Sequence, residues 1–464
     1  MNHIETDYLV VGAGASGLAF VDELIAHDDA ADVVMVDRRD GPGGHWNDAY
    51  PYVRLHQPAA FYGVNSRQLG FNRIEADGPN AGMYEQSSAG EICDYFRRVL
   101  TEKLVGSGRV RFVGMSEYAQ SDGVHSITSL VTGASMTVSV RRAMVDATYQ
   151  ESSVPKTHQP SFNVAPDASC IPPNDLVKVS GPPAGFVVIG AGKTAMDACA
   201  WLLSHEVAPS AITWIRARDA WLINRAKTQP LEQVASIIEA AADDLEASAA
   251  AGVIDDVYRA LEVSGRMLRI DQDVWPTMYR CATLSEAELE ELRSITGVVR
   301  MGHVVEIRAD EIVLEDGSIP TSPEHVHIDC TANGLQRRER RPVFEPGRIT
   351  IQQLRTCQPT FNAAFTGFIE ASRDNDDDKN YLCPPNPYPT TSVDMLRGIL
   401  AQQLAANRWN EAPDVAEWMT RSRLNAIQTM NDHLGEPRMQ DAIGRYLTAI
   451  EPAIENLERL LADA

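Results

Sequence analysis

The 464-residue chain lacks any apolar run long enough to span a bilayer. Its first apolar stretch, YLVVGAGASGLAF from Tyr8, has no basic flank and is broken by glycines, so neither a transmembrane helix nor an export signal is expected. Basic charge is short as well: 41 Lys and Arg stand against 64 Asp and Glu, a formal net charge of −23. Such a surface repels phosphate backbones and anionic lipid, and neither nucleic acid nor a membrane is expected as a partner. Cysteine is sparse and scattered. Cys93, Cys170, Cys199, Cys281, Cys330, Cys357 and Cys383 show no CxxC and no paired histidine spacing, so no metal site is expected. A reducing, cytoplasmic setting fits this usage.

What the chain does have is a glycine turn in the right surroundings. Asp7 to Val11 read as a strand, Ser16 to His27 carry Leu18, Val21, Leu24 and Ile25 at helical spacing, and Val33 to Val36 form a second strand ending in Asp37. In this βαβ unit Gly12 permits the tight turn, Gly14 lets the backbone approach a pyrophosphate, and Gly17 lets helix pack closely on strand. The helix N-terminus then faces the phosphates. Asp37 lies where a carboxylate accepts hydrogen bonds from a ribose hydroxyl, and Arg38 beside it is grouped with the cofactor contacts. An isolated GxGxxG says little; this setting predicts a dinucleotide site.

The pattern recurs. FVVIGAGKTAMDACAWLL, from Phe186, repeats strand, turn and helix, with Gly190 and Gly192 in the turn, Lys193 and Thr194 opening the helix, and Ala195 in the third glycine position. Two turns imply two dinucleotides. After the strand Ile212 to Ile215, Arg216 and Arg218 stand where the first unit has Asp37; cations there suit a 2′-phosphate and favour NADP over NAD.

The length suits two or three domains. Gly41 to Gly82 read as long ordered loops, Gly90 to Leu104 as a helix, and strands are expected at Arg109 to Val113, His125 to Val131, Met136 to Val140 and Ala143 to Asp146. Seven prolines between Pro155 and Pro183 mark a connector, with a domain boundary near Gly181. Leu231 to Ile295 read as a helical insertion packed on the second domain, in which Trp275 and Tyr279 either roof a pocket or pack. Val304 to Ile307 and Ile312 to Leu314 read as a hairpin, and Val326 to Asp329 as a strand returning to the core. The run DNDDDK, from Asp374, reads as a solvated loop; it lacks the glycine and distal glutamate of a calcium loop. After Ser392 the pattern is helical, with stops near Asn407 to Pro413 and Gly435 to Pro437.

The ordered set GAGASG, VDRRDGPGGHWNDAYPYVRLHQP, GAGKTAMD and DCTANGL resembles the two-dinucleotide-binding-domain flavoproteins, in the branch of the flavin-containing, Baeyer–Villiger and N-hydroxylating monooxygenases. The resemblance implies an α/β fold of two Rossmann-like dinucleotide-binding domains plus C-terminal helices. The FAD domain takes residues 1–180 and 326–392, the NADP domain is inserted at 181–325, and a helical segment follows at 393–464. It also implies FAD at the first turn, NADP(H) at the second, and an FAD-dependent monooxygenase: NADPH reduces FAD by hydride transfer, and one oxygen atom from O2 enters a small organic substrate. Gly43, Gly44 and Trp46 resemble the GGxW segment beside the isoalloxazine, and Tyr50, Pro51, Arg54, Leu55 and His56 continue a loop that lines the flavin. Thr331, Ala332 and Gly334 resemble the ATG segment that closes the FAD domain, with Asn333 an extra polar residue in it.

Catalytic candidates follow from that placement. Gln57 sits near where these monooxygenases hold an amide over the ring. His56 donates to a flavin oxygen or is a loop histidine satisfied by backbone; Arg54 binds a substrate carboxylate or pairs with an acid. Asn333, Lys379 and Asn380 are the substrate candidates. The FxGxxxH fingerprint expected before the second turn is absent, the stretch reading VPKTHQPSFNVAPDASCIPPNDL. Two further functions therefore stay open: a flavin oxidase or dehydrogenase without oxygen insertion, and a non-catalytic FAD-binding scaffold or redox sensor. Self-association into a homo-oligomer stays open too. The disulfide reductases of the same superfamily need two close cysteines beside the flavin, and no cysteine precedes Cys93, so dithiol chemistry is not expected.

Overall fold

The computed structural model describes residues 2–150, 152–334 and 336–462. Strand β1 (Asn2–Val11) enters the first glycine turn, helix α1 (Ala15–His27) leaves it, and β2 (Val33–Val36) runs parallel to β1. All of β2 is buried, because its alternate side chains enter different cores: Val33 and Met35 pack with Leu18 and Val21 of α1, Val34 and Val36 with Ile127 and Val138. A strand covered on both faces reads as a continuous apolar run. Helix α2 (Ala89–Arg98) follows a loop region and starts at a capping box made by Ser88 and Glu91. Then come β3 (Val110–Val113), β4 (Ser116–Ser121), β5 (Val124–Ser129) and β6 (Ser135–Asp146). The two segments expected between Met136 and Asp146 are one strand, which pairs with β1 along its length.

The second unit repeats the first. Strand β7 (Gly185–Ile189), helix α3 (Lys193–Ser204) and β8 (Ile212–Ile215) frame the second turn. Beyond them, β9 (Ala220–Asn224) leads into α4 (Ala235–Ala250) and α5 (Ile254–Val263), as the helical composition predicts. The following β10 (Met278–Leu284) departs from it, pairing in parallel with β9 before α6 (Glu286–Arg293). A meander of β11 (Val304–Ile307), β12 (Glu311–Leu314) and β13 (Gly317–Pro320) contains the expected hairpin.

Strand β14 (His325–Asp329) corrects the expected boundary at residue 326. It pairs in parallel with β7 from Gly185↔His325 to Ile189↔Asp329, so it is a strand of the second sheet, and Ile328 is buried in the second core. An apolar parallel strand carries no local mark of which of two similar sheets it joins. The chain returns to the first sheet at β15 (Arg348–Thr350), which pairs with Met144 to Asp146 of β6. Helix α7 (Pro359–Ser372) then packs on α1.

The acidic run is the start of a helix, α8 (Asp376–Leu382), and not a solvated loop. Asn375 caps it, and the acids of its first turn complement the helix dipole. Helix α9 (Ser392–Glu411) stops where the sequence predicts and α11 (Pro437–Ala462) begins at the second expected break, but α10 (Pro413–Arg421) ends well before it, at Arg421. Helix α11 lies along α4: Ala449 and Ala453 pack on Leu245, and Arg445 pairs with Asp243 and Glu246. The insertion is thus one lobe with the C-terminal helices, and does not pack on the second domain alone. No described helix is long and apolar enough to cross a membrane.

Candidate functional site: a cleft joining two glycine turns

A cavity of about 970 Å³ runs between the two units and reaches both turns. At the first, Gly12 has φ +100°, and a Cβ on Gly17 would stand 2.0 Å from the Gly12 carbonyl oxygen, so only glycine closes this turn. Neither α1 nor α3 is capped by a side chain, and their opening residues Ala15, Ser16, Lys193 and Thr194 line the cavity. Free N–H groups at a helix N-terminus suit a phosphate. The Gly43 N–H donates to the Ala13 carbonyl at 3.0 Å, folding the GGHW segment across the turn. Asp37 accepts from the Ala13 and Arg39 N–H groups at 2.7 and 2.8 Å and lines the cavity at the end of β2. Arg38 is corrected: its side chain is 72% exposed and reaches Glu117, whereas Arg39 lines the cavity and pairs with Asp48.

At the second turn Gly190 has φ +132°, and a Cβ there would meet the Cys330 carbonyl oxygen at 2.7 Å. The two arginines part company. Arg216 is buried, lies over the Trp214 ring at 4.7 Å and pairs with Asp219, so it is removed from the cofactor contacts. Arg218 is exposed and lines the cavity. Successive residues of an extended chain point to opposite faces, so Arg216 and Arg218 share a side only if the chain stays extended; here it bends after Ile215.

Between the turns stands the loop from Gly44 to Gln57. Trp46 is held edge-on by Tyr62, whose hydroxyl accepts from its indole N–H at 2.8 Å. His56 lines the cavity; enclosure, helped by the charges of Lys193 and Arg225, pushes its imidazole down to about 4, so it is neutral at ordinary pH. Its carbonyl accepts from Arg225 at 2.7 Å. Among the described residues Arg54 pairs with no acid but donates to the Gln86 carbonyl at 3.0 Å, and the Gln57 amide reaches the Phe61 carbonyl at 3.4 Å; both line the cavity. Ala332, Asn333 and Gly334 line it as well, with Arg280 donating to the Asn333 amide oxygen at 3.2 Å. Leu335 of the same motif lies outside the described residues.

Two substrate candidates are corrected. Lys379 is buried outside the cavity, 2.6 Å from Glu370, which also accepts from Tyr8; Asn380 is hydrogen-bonded to both backbone groups of Phe344. They hold α8 onto the first unit. Tyr279 lines the cavity, while Trp275 packs edge-on against Trp221.

Several lining groups escaped the sequence reading. His45 faces the cavity and is pushed down to about 4 by enclosure and the charge of Arg39. Tyr50 donates to Asp197 at 2.6 Å, and Asp197 pairs with Lys193, which ties the loop of the first unit to the helix of the second. Met395, Ile399, Gln402 and Gln403 bring α9 into the wall. Cys281 and Cys357, far apart in sequence, form a disulfide there. His45 carried a signal in its place inside GGHW, and Tyr50 was already expected in the flavin-lining loop; what escaped was its tie to Asp197. Among the described residues no cluster of His, Cys, Asp or Glu could hold a metal ion.

Residues 10–63 match the model of the NAD(P)-binding Rossmann-like domain family. The Mycobacterium tuberculosis protein named Uncharacterized protein Rv2000 is 44% identical over 461 residues, covering 99% of this chain and 85% of its own length. A Mycobacterium bovis protein, Uncharacterized protein Mb2023, matches to the same extent. The chain belongs to their family. Among solved structures, the polycyclic ketone monooxygenase of the thermophilic fungus Thermothelomyces thermophila has a TM-score of 0.50 at 12% identity, covering 97% of this chain and 90% of that one. This chain therefore shares the fold of that monooxygenase, as the ordered motifs predict.

Proposed function

We propose that this chain is an FAD-dependent, NADPH-using monooxygenase acting on a small organic substrate. The observation that carries the reading is that both glycine turns open into one cavity, with Trp46, His56 and Ala332 between them. Gly12, Gly14, Asp37 and the loop from Gly44 to His56 would hold FAD; Gly190, Gly192, Lys193, Thr194 and Arg218 would hold NADPH. The uncapped helix ends, and glycines at which a Cβ would collide with backbone, fit such groups. When bound, the flavin accepts a hydride and supplies the oxygen chemistry. The chain's part is positioning. Neutral His56 offers one N–H to an acceptor, and Arg225 fixes the backbone that carries it. The wall of Tyr279, Tyr388, Met395 and Ile399 excludes water from the far end, where a small organic substrate would lie.

The absent FxGxxxH fingerprint favours a second reading, an oxidase or dehydrogenase without oxygen insertion. One experiment tests both. FAD-loaded protein is mixed with NADPH without air, and bleaching of the flavin absorbance is expected; isotope-labelled O2 is then admitted with a panel of ketones, thioethers and amines. Label in an organic product supports insertion. Bleaching followed only by hydrogen peroxide release supports the oxidase, and no bleaching overturns both readings.

A further inference from the structure

Cys281 and Cys357 stand 76 residues apart in sequence but are joined as a disulfide, with Cα atoms 6.4 Å apart, inside the span that a bridge allows. Cys281 belongs to β10 of the second unit's insertion. Cys357 ends the segment that leads from β15 into α7, in the first unit. The bridge therefore joins a segment of the insertion to one of the first unit; both cysteines line the cavity, Cys281 buried in the cluster around Trp221 and Tyr258 and Cys357 packed against that cluster. Among the described residues, seven non-glycine residues have a left-handed backbone, and two of them are these partners, at φ +54° and +61°. Pairing the sulfurs coincides with a backbone conformation that side chains resist. The five other cysteines are unpaired: Cys199, Cys330 and Cys383 are buried, Cys93 and Cys170 half-buried, and enclosure pushes all five thiols up, which makes them poor nucleophiles.

We propose that Cys281 and Cys357 are a reversible dithiol–disulfide couple that exchanges with small thiols entering the cavity and, when oxidised, ties the insertion to the first dinucleotide unit. This goes beyond the monooxygenase reading and does not depend on it. In the reducing direction a small thiolate attacks one bridge sulfur; the S–S bond breaks, a mixed disulfide forms, and the departing cysteine thiolate takes a proton. A second small thiol attacks the mixed disulfide, freeing the other cysteine and leaving as the small-molecule disulfide. Two electrons pass from two small thiols to the bridge. Oxidation by the small-molecule disulfide is the reverse.

The test uses the whole folded protein, equilibrated with glutathione and glutathione disulfide at a series of ratios, then acid-quenched, unfolded, alkylated and weighed. Of the seven cysteines, five are free in the bridged form, so the expected result is a reversible step between five and seven alkylated thiols. Peptide mapping should place the two switching thiols at Cys281 and Cys357, and Cys281→Ser or Cys357→Ser should abolish the step. If either variant fails to fold, the map of the unaltered protein still decides. Seven thiols at every ratio, five at every ratio, or a step mapping to another pair would overturn the proposal.

Discussion

Replacing Arg225 with methionine should loosen the cleft from a residue that touches neither glycine turn. The Arg225 guanidinium is buried and donates to the His56 carbonyl at 2.7 Å, to the Thr283 carbonyl at 3.1 Å and to Glu288 at 2.8 Å. Burial raises the Glu288 carboxyl, but the charges of Arg225 and Lys193 outweigh it and hold the group at about 2 instead of 4.5. At about 1.4 kcal/mol per unit, that difference is worth roughly 3 kcal/mol near neutral pH. Arg225→Met keeps most of the side chain's bulk but leaves a buried carboxylate without its cation, so a loss of about 3–5 kcal/mol is expected in urea unfolding followed by tryptophan fluorescence. The pH dependence gives an independent check. The folded carboxyl titrates below the unfolded one, so its contribution is complete above about pH 4.5 and is lost as pH falls towards 2. The unaltered protein should lose stability through that window. In Arg225→Met that portion of the slope should shrink, because burial then opposes only the Lys193 charge and the Ser285 N–H. A variant within about 1 kcal/mol of the parent, with the same acid slope, would refute the reasoning.

Three other expectations follow from the placement of charged groups. Arg218→Ala should lower the preference for NADPH over NADH by roughly tenfold or more, as loss of a charged hydrogen bond implies, whereas Arg216→Ala should leave the preference alone and reduce stability; equal effects on the KM ratio would contradict the two positions. Lys379→Met should destabilise by about 3 kcal/mol or more by stranding Glu370, with FAD affinity and NADPH KM unchanged, and a specific rise in KM would return Lys379 to the site. Because enclosure lowers both His45 and His56 to about 4, flavin reduction by NADPH should show no step from either between roughly pH 6 and 8. The same lowering adds stability that is complete above about pH 6.5 and is lost as pH falls towards 4, so His56→Phe should flatten acid unfolding there.

Both glycine turns were legible because their requirements are local. Gly12, Gly17 and Gly190 sit where backbone geometry or close approach excludes any side chain, and each requirement is written within one strand, turn and helix. Asp37 was legible for the same reason, ending a strand whose burial its own sequence states. Arg38 and Arg39 were not separable, since adjacent residues differ in which face they take, and that face is fixed by Asp48 and Glu117 from elsewhere in the chain. Lys379 illustrates the converse: a lysine beside an acidic run reads as exposed until Glu370 on a neighbouring helix supplies its partner.

Propensity, periodicity and turn chemistry act over a few residues, so the two dinucleotide turns, their order and the helices after them could be read locally. Tertiary structure decided what those turns share. Parallel pairing over long separations assigned β14 to the second sheet and β15 to the first, which closed one cavity between the units. That closure brought Tyr50 to Asp197, Arg225 to His56, α9 to the far wall and Cys281 to Cys357, contacts between groups so far apart in the chain that no local pattern relates them.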